Sequence, residues 1–136
     1  MVLSKDEDPV YHYLGFHSYT FLMLHILLHF IIPLIVAWVF FRKKWKSAFL
    51  ILIATMIVDV DHLLANTVYD PNRCSIGFHP LHTVWAILFY MSMFMVPFFL
   101  KSKKLSEKAG KWNHWIQVAG LGLLIHMALD GLDCFI

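Results

Sequence analysis

Charge is scarce in this chain: only 15% of its 136 residues are Asp, Glu, Lys or Arg, against 60% hydrophobic. A soluble domain of this size needs more polar surface, so an ordinary water-soluble fold is the first class to fall away. Basic residues are rarer still outside two places. Of the 11 Lys and Arg, four lie in Arg42–Lys46 and five in Lys101–Lys111, leaving only Lys5 and Arg73. The net charge of +2 therefore describes two short loops and is no argument for a nucleic-acid partner. Neither a Gly-x-Ser-x-Gly elbow nor a catalytic cysteine motif occurs, which removes the common routes to a covalent acyl intermediate. The N-terminus is acidic (Lys5-Asp6-Glu7-Asp8) and the first apolar run is too long for a cleaved signal peptide, so that run is expected to remain as a membrane anchor.

What is present is long apolar sequence. A membrane-spanning helix needs about 20 mostly apolar residues, and four stretches supply them: 18–41, 47–65, 79–100 and 114–135. Residues 1–136 then form a single transmembrane domain of the all-α class, an integral membrane four-helix bundle. Pro33 and Pro97 fall inside spans, where neighbouring helices can re-satisfy the backbone. Pro80 falls in a first turn, where its missing N–H costs little. The connector 66–78 contains Asp70-Pro71-Asn72 and Gly77 and reads as turns. Both basic loops join an odd to an even span, so they share one side of the membrane. The positive-inside rule makes that side cytoplasmic, with both termini and the 66–78 connector outside. Trp38, Trp45, Trp112 and Trp115 gather near the basic side, and Tyr11, Tyr13 and Tyr19 near the other. Gly120, Gly122 and Gly131 are expected to let helices approach closely. The Met and Phe residues of the third span are expected to face lipid and pack.

Against this background, polar residues inside the spans stand out. They are His25 and His29; Asp59, Asp61 and His62; His79 and His82; His126, Asp130 and Asp133. Ionisable groups in lipid are costly and usually face a functional interior, and His and Asp are the nitrogen and oxygen donors of divalent metals. At a rise of about 1.5 Å per residue, Asp59 and His62 lie roughly 18–22 Å from the basic end of their helix, and His25 and His29 roughly 20–25 Å. On the same scale His126 and Asp130 lie about 22–28 Å up, and His82 about 28 Å. Four helices thus bring acid and imidazole to one layer in the outer half of the bilayer. His25/His29 and His126/Asp130 are i,i+4 pairs, and Asp59/His62 and His79/His82 are i,i+3 pairs, each sharing a face. Asp61 points away from Asp59, as a support for a ligand or as a ligand to a second ion. Facing helices of bundles build metal sites from such pairs. His12, His17 and His114 read as interfacial, and Asp133 lies near a helix end where solvent is available. Cys74 and Cys134 fall on the outer side, where disulfides persist. A bond between them would tie the connector to the fourth span; two free thiols are the alternative.

The motifs Asp59-Val60-Asp61-His62, His79-Pro80-Leu81-His82-Thr83 and His126-Met127-Ala128-Leu129-Asp130 occur in an order that resembles small bacterial inner-membrane metal-dependent hydrolases. That group carries D-x-D-H, H-x-x-x-H-[ST] and C-terminal H-x-x-x-D motifs and is regarded as a distant relation of zinc-dependent phospholipase C. The chain also looks like a family of short bacterial membrane proteins of unknown function. The resemblance covers nearly the whole chain and implies Asp59, His62, His82, His126 and Asp130 as metal ligands, with His29 the contribution of the first helix. The third-span motif here is H-x-x-H-T, one residue shorter than the related pattern, which leaves the role of His79 open.

The expected function is a membrane-embedded hydrolase in which metal-activated water attacks an ester or phosphoester bond, a lipid being the substrate class to test first. The expected cofactor is a divalent metal, zinc by its donors, and the surplus of ligands leaves room for two ions. Asp61 or Asp133 is the expected general base. The expected location is the bacterial inner membrane. The rival class is a protein that binds or passes a metal ion or protons without hydrolysis. It would need polar residues on the basic side, yet Ile31–Phe41 and Phe49–Met56 hold no acid or histidine. Haem ligation by paired histidines is disfavoured by the aspartates beside them.

Overall fold

The computed structural model describes residues 9–64, 74–100 and 107–134, the backbone alone for 9–19, 21, 107–108 and 133. All the regular structure among the described residues is helical. α1 spans Pro9–Phe40, α2 Trp45–Ala54, α3 Val84–Leu100 and α4 Glu107–Asp133. A short 3₁₀ turn, Arg42–Lys44, folds α2 back against α1. α4 packs against each of the other three helices, and it is the helix whose sequence carries the most glycine and the C-terminal His/Asp pair.

The apolar side chains are arranged inside out. Trp38, Phe40, Ile57, Leu64, Trp85 and Phe99 are exposed, while His29, Asp61, His79, His82, His126 and Asp130 are buried. A water-soluble chain would present so much contiguous apolar surface only at great cost. Leu22–Phe40, Arg42–Leu64 and Ala109–Leu132 are each long and apolar enough to cross a membrane. The third expected span differs. Its α-helix is the shorter Val84–Leu100, because Pro80 forces His79 into extended backbone and Thr83 is extended as well, isolating Pro80–His82 as a 3₁₀ turn. Thr83 then caps α3, its hydroxyl oxygen accepting from the Ala86 N–H at 3.3 Å.

α2 does not end at Ala54 but tightens into a 3₁₀ helix over Thr55–Leu64. Ten residues is long for this conformation. The change begins where the Thr55 hydroxyl donates to the Leu52 carbonyl at 2.6 Å, a local bond that competes with the regular helical pattern. With three residues per turn, the segment presents three distinct edges. Thr55, Val58 and Asp61 are buried, Met56, Asp59 and His62 are half-buried, and Ile57, Val60 and Leu63 are exposed. The acidic pair of the D-x-D-H motif is thus divided between two neighbouring edges.

Two apolar levels lie below the polar layer. The one nearest the basic turn consists of Ala37, Ala48, Leu52 and Val118, flanked by Phe41, Phe49 and Trp115. The next consists of Val58, Tyr90, Leu123 and Met127. Close approach of α4 is set by glycine, as expected at Gly120 and Gly122. A Cβ on Gly120 would sit 2.6 Å from the Phe94 nitrogen, and one on Gly122 would sit 2.8 Å from the Thr55 hydroxyl. Gly131 does not share this role: among the described residues nothing lies within 4 Å of the added carbon. Beyond the polar layer, Cys74 is disulfide-bonded to Cys134 across 60 residues. The free-thiol alternative therefore does not hold, and the connector is fastened to the end of α4.

Candidate metal centre

Nine of the ten residues singled out in the sequence gather into one polar layer, in three groups able to hold a metal ion, two of which share Asp130. These are Asp59, His82, His126 and Asp130; His25, His29 and Asp130; and Asp61, His62 and His79. The tenth, Asp133, has its side chain outside the described residues, as do His12 and His17. His114 stands apart, with its ring against Trp115 and Phe41.

The first group is the most closely convergent. His82 Nε2 lies 2.9 Å from Asp130 Oδ2 and 3.4 Å from Asp59 Oδ1. His126 Nε2 lies 2.9 Å from Asp59 Oδ1 and 3.2 Å from Asp130 Oδ2. Ligand atoms on a tetrahedral divalent ion with nitrogen bonds of 2.0–2.1 Å would be separated by about 3.3 Å, so these spacings suit such an ion. Hydrogen bonding alone would give similar distances, and the His126 Nε2–Asp59 Oδ1 contact has hydrogen-bond geometry; it is the other nitrogen of His82 that helps to decide. His82 Nδ1 lies 3.2 Å from Asp61 Oδ2, an acceptor that also takes the Leu81 N–H at 2.7 Å. With Nδ1–H donating to Asp61, Nε2 of the neutral imidazole carries a lone pair and faces two carboxylate oxygens. Buried lone pairs facing one another need a positive charge between them. Among the described residues, His82 Nε2 and Asp130 Oδ2 are buried without a hydrogen bond of acceptable direction despite being 2.9 Å apart. The close distance and the poor direction agree if both atoms aim at a common centre rather than at each other. A carboxylate behind a histidine ligand is also the usual orienting arrangement at metal sites.

The charge count points the same way. Asp61 and Asp130 are almost fully buried, and Asp59 is the one ligand of the quartet with an exposed side chain, at 38% against 0–4% for the others. Carboxylates removed from water require compensating charge, which either protonated imidazoles or a metal supplies. Asp59 marks a side on which the protein leaves the layer uncovered.

His62 was expected beside Asp59 and His82 but is drawn into the third group. Its Nδ1 is 3.7 Å from Asp59 Oδ1 and 3.2 Å from Asp61 Oδ1, and its Nε2 is 3.2 Å from the Ser75 hydroxyl. Its ring stacks on His79 with centroids 3.8 Å apart. Asp61, expected as a base or support, is engaged by His82 and Leu81 and so orients a ligand. Ser75 and Tyr90 escaped the sequence reading. Tyr90 donates its hydroxyl proton to the Leu81 carbonyl at 3.0 Å, bracing the turn that carries His82. A tyrosine within the apolar run Val84–Met91 was the available signal; nothing local marks Ser75. Gly77, at φ +85°, donates its N–H to the His82 carbonyl at 2.9 Å, closing the same turn with a backbone geometry that favours glycine.

The family of unknown function DUF6122 matches residues 19–106, well over half of the chain. The chain belongs to this family. The DUF6122 match takes in His25, His29, the D-x-D-H segment and the His79–His82 turn, and stops before the α4 pair His126 and Asp130. No curated protein and no solved structure matches the chain.

Proposed function

We propose that this DUF6122 protein is a membrane-embedded metal-dependent hydrolase that cleaves an ester or phosphoester bond, with a membrane lipid as substrate. The observation that carries the reading is the buried convergence of Asp59, His82, His126 and Asp130, with His82 already oriented by Asp61. Two imidazoles and two carboxylates at this spacing suit zinc. A bound ion of this kind supplies Lewis acidity and a water activated at neutral pH.

The chain's own residues would do the rest. Asp61 and Leu81 hold His82 in one tautomer, and Tyr90 braces the turn. Asp59, the most exposed member of the quartet, opens the site on one side. Asp61 is committed to positioning, so the carboxylate left as proton acceptor is Asp133, three positions beyond Asp130 on α4. The placement follows from the charge pattern: basic turns in the cytoplasm, both termini outside, in a bacterial inner membrane as the motif resemblance implies.

Binding or transport without hydrolysis is the other reading, and one feature weighs against passage across the membrane. The level of Ala37, Ala48, Leu52 and Val118 is apolar and buried and interrupts the polar layer on its way to the basic side, with His114 flanking that level against Phe41 and Trp115. The buried polar group near it, Gln117, donates to the Phe94 carbonyl. The deciding assay loads the full chain with zinc in lipid nanodiscs and measures turnover of phospholipids and of nitrophenyl esters and phosphoesters. Activity lost on chelation and in Asp130→Asn is the expected result. A zinc-loaded protein inert toward all of them overturns the hydrolase reading and leaves a metal-binding protein.

A further inference from the structure

Asp130 uses its two oxygens differently. Oδ2 faces His82 and His126, as described. Oδ1 faces the first helix, 3.3 Å from His29 Nε2 and 3.5 Å from His25 Nε2. We propose that Asp130 is a bridging ligand between two divalent cations, one held by Asp59, His82, His126 and Oδ2, the other by His25, His29 and Oδ1. This deepens the metal-centre reading and rests on it.

The second position has its own evidence. His29 Nδ1 is 2.9 Å from the His25 carbonyl oxygen, and a carbonyl only accepts, so in the neutral imidazole Nδ1 carries the proton and Nε2 the lone pair. That lone pair points toward a carboxylate oxygen in a buried setting, and among the described residues His29 Nε2 has no hydrogen bond. A cation between them removes the conflict. The i,i+4 spacing puts both imidazoles on the Asp130 side of α1, with ring centroids 4.2 Å apart. The His29 and His126 rings, one from each proposed position, are only 4.7 Å apart. Paired ions in hydrolytic sites lie about 3.5–4 Å apart, a separation that one carboxylate spans. Counting Asp59, Asp61 and Asp130 as ionised and the imidazoles as neutral, one divalent ion leaves the layer net negative and two make it net positive. The second state is the one that receives an anionic phosphoester.

The Asp61–His62–His79 group offers a separate position, with Asp61 Oδ1 and His62 Nδ1 buried 3.2 Å apart and, among the described residues, without a hydrogen bond. It shares no ligand with the Asp59 quartet, so an ion held there would not be bridged to the first.

The test strips the full chain in nanodiscs, reloads it with Mn(II), and combines elemental stoichiometry with electron paramagnetic resonance. About two ions per chain with an exchange-coupled spectrum is the expected result. His29→Ala should fall to about one ion with the signal of an isolated Mn(II), and His114→Ala should keep the coupled pair. The coupled signal of the unaltered protein is read before any variant, so poor folding of a variant does not decide the matter. A single uncoupled ion in the unaltered protein overturns the bridge and leaves the metal centre. Two uncoupled ions, one of them lost in His62→Ala, also overturn it by placing the second ion in the Asp61 group. No retained Mn(II) overturns both.

Discussion

At the scale of single residues, the defining relation is between an imidazole and what stands behind it. His82 has Asp61 behind it, and His29 has a backbone carbonyl. Asp61→Asn should preserve the fold and weaken metal affinity by about 10–100-fold, the usual effect of removing a ligand's hydrogen-bonding partner; competition against a chelator of known affinity reads this directly. Asp130→Ala should abolish retention altogether, since it removes an acceptor from two groups at once. Retention unchanged in both variants would place the ion outside this layer, and no retention by the unaltered chain would mean that the layer is held by hydrogen bonds alone. His62 shows the limit of reading faces from spacing. Its i,i+3 relation to Asp59 is real, but Ser75 and His79 turn the ring toward Asp61, and they approach from a connector whose path no periodicity encodes.

At the scale of elements, helix geometry decides which polar groups meet. The 3₁₀ segment Thr55–Leu64 divides Asp59 from Asp61, and α4 can approach it closely because Gly122 lies against Thr55 and Leu52. Gly122→Ala should destabilise the bundle by about 1–3 kcal/mol, the usual cost of overpacking, and disturb the metal site with it. Gly131→Ala should stay within about 0.5 kcal/mol, because the added methyl meets open space; reversible unfolding in mixed micelles compares the two. The disulfide acts at the same scale. In a soluble chain, closing 60 residues would contribute about 4 kcal/mol through the unfolded coil. Helices that remain in a bilayer never reach that reference state, so the benefit is local. Cys74→Ser should therefore raise amide exchange over residues 75–82, which carry Ser75, His79 and His82, while leaving α1 and α2 unchanged. Equal exchange throughout would show that Tyr90 and Gly77 hold the turn without the bond.

At the scale of the whole molecule, a polar layer lies at one end of an apolar bundle whose outer surface is also apolar. Three helices are long and apolar enough to cross a membrane, and the basic turn Arg42–Lys44 lies at the end away from the site. Single cysteines replacing Lys44 or Lys104, in a chain whose native pair stays bonded, should react with an impermeant maleimide only from the cytoplasmic side. Labelling from outside would invert the topology and turn the site toward the cytoplasm.

Sequence alone was enough for the all-helical class, the gathering of the His and Asp residues into one layer and the residue types that form it. Each of these depends on composition and on a fixed rise per residue, which a one-dimensional pattern carries. Tertiary structure decided the rest. It broke the third span at His79–Thr83, because a proline and an extended threonine override an apolar run. It moved His62 away from the Asp59 quartet and made Asp61 the support of His82, because those assignments depend on rotation about the helix axis and on the connector folded over it. It also turned the two oxygens of Asp130 toward different helices. Side-chain direction across a bundle is a property of packing, and no spacing within a single helix contains it.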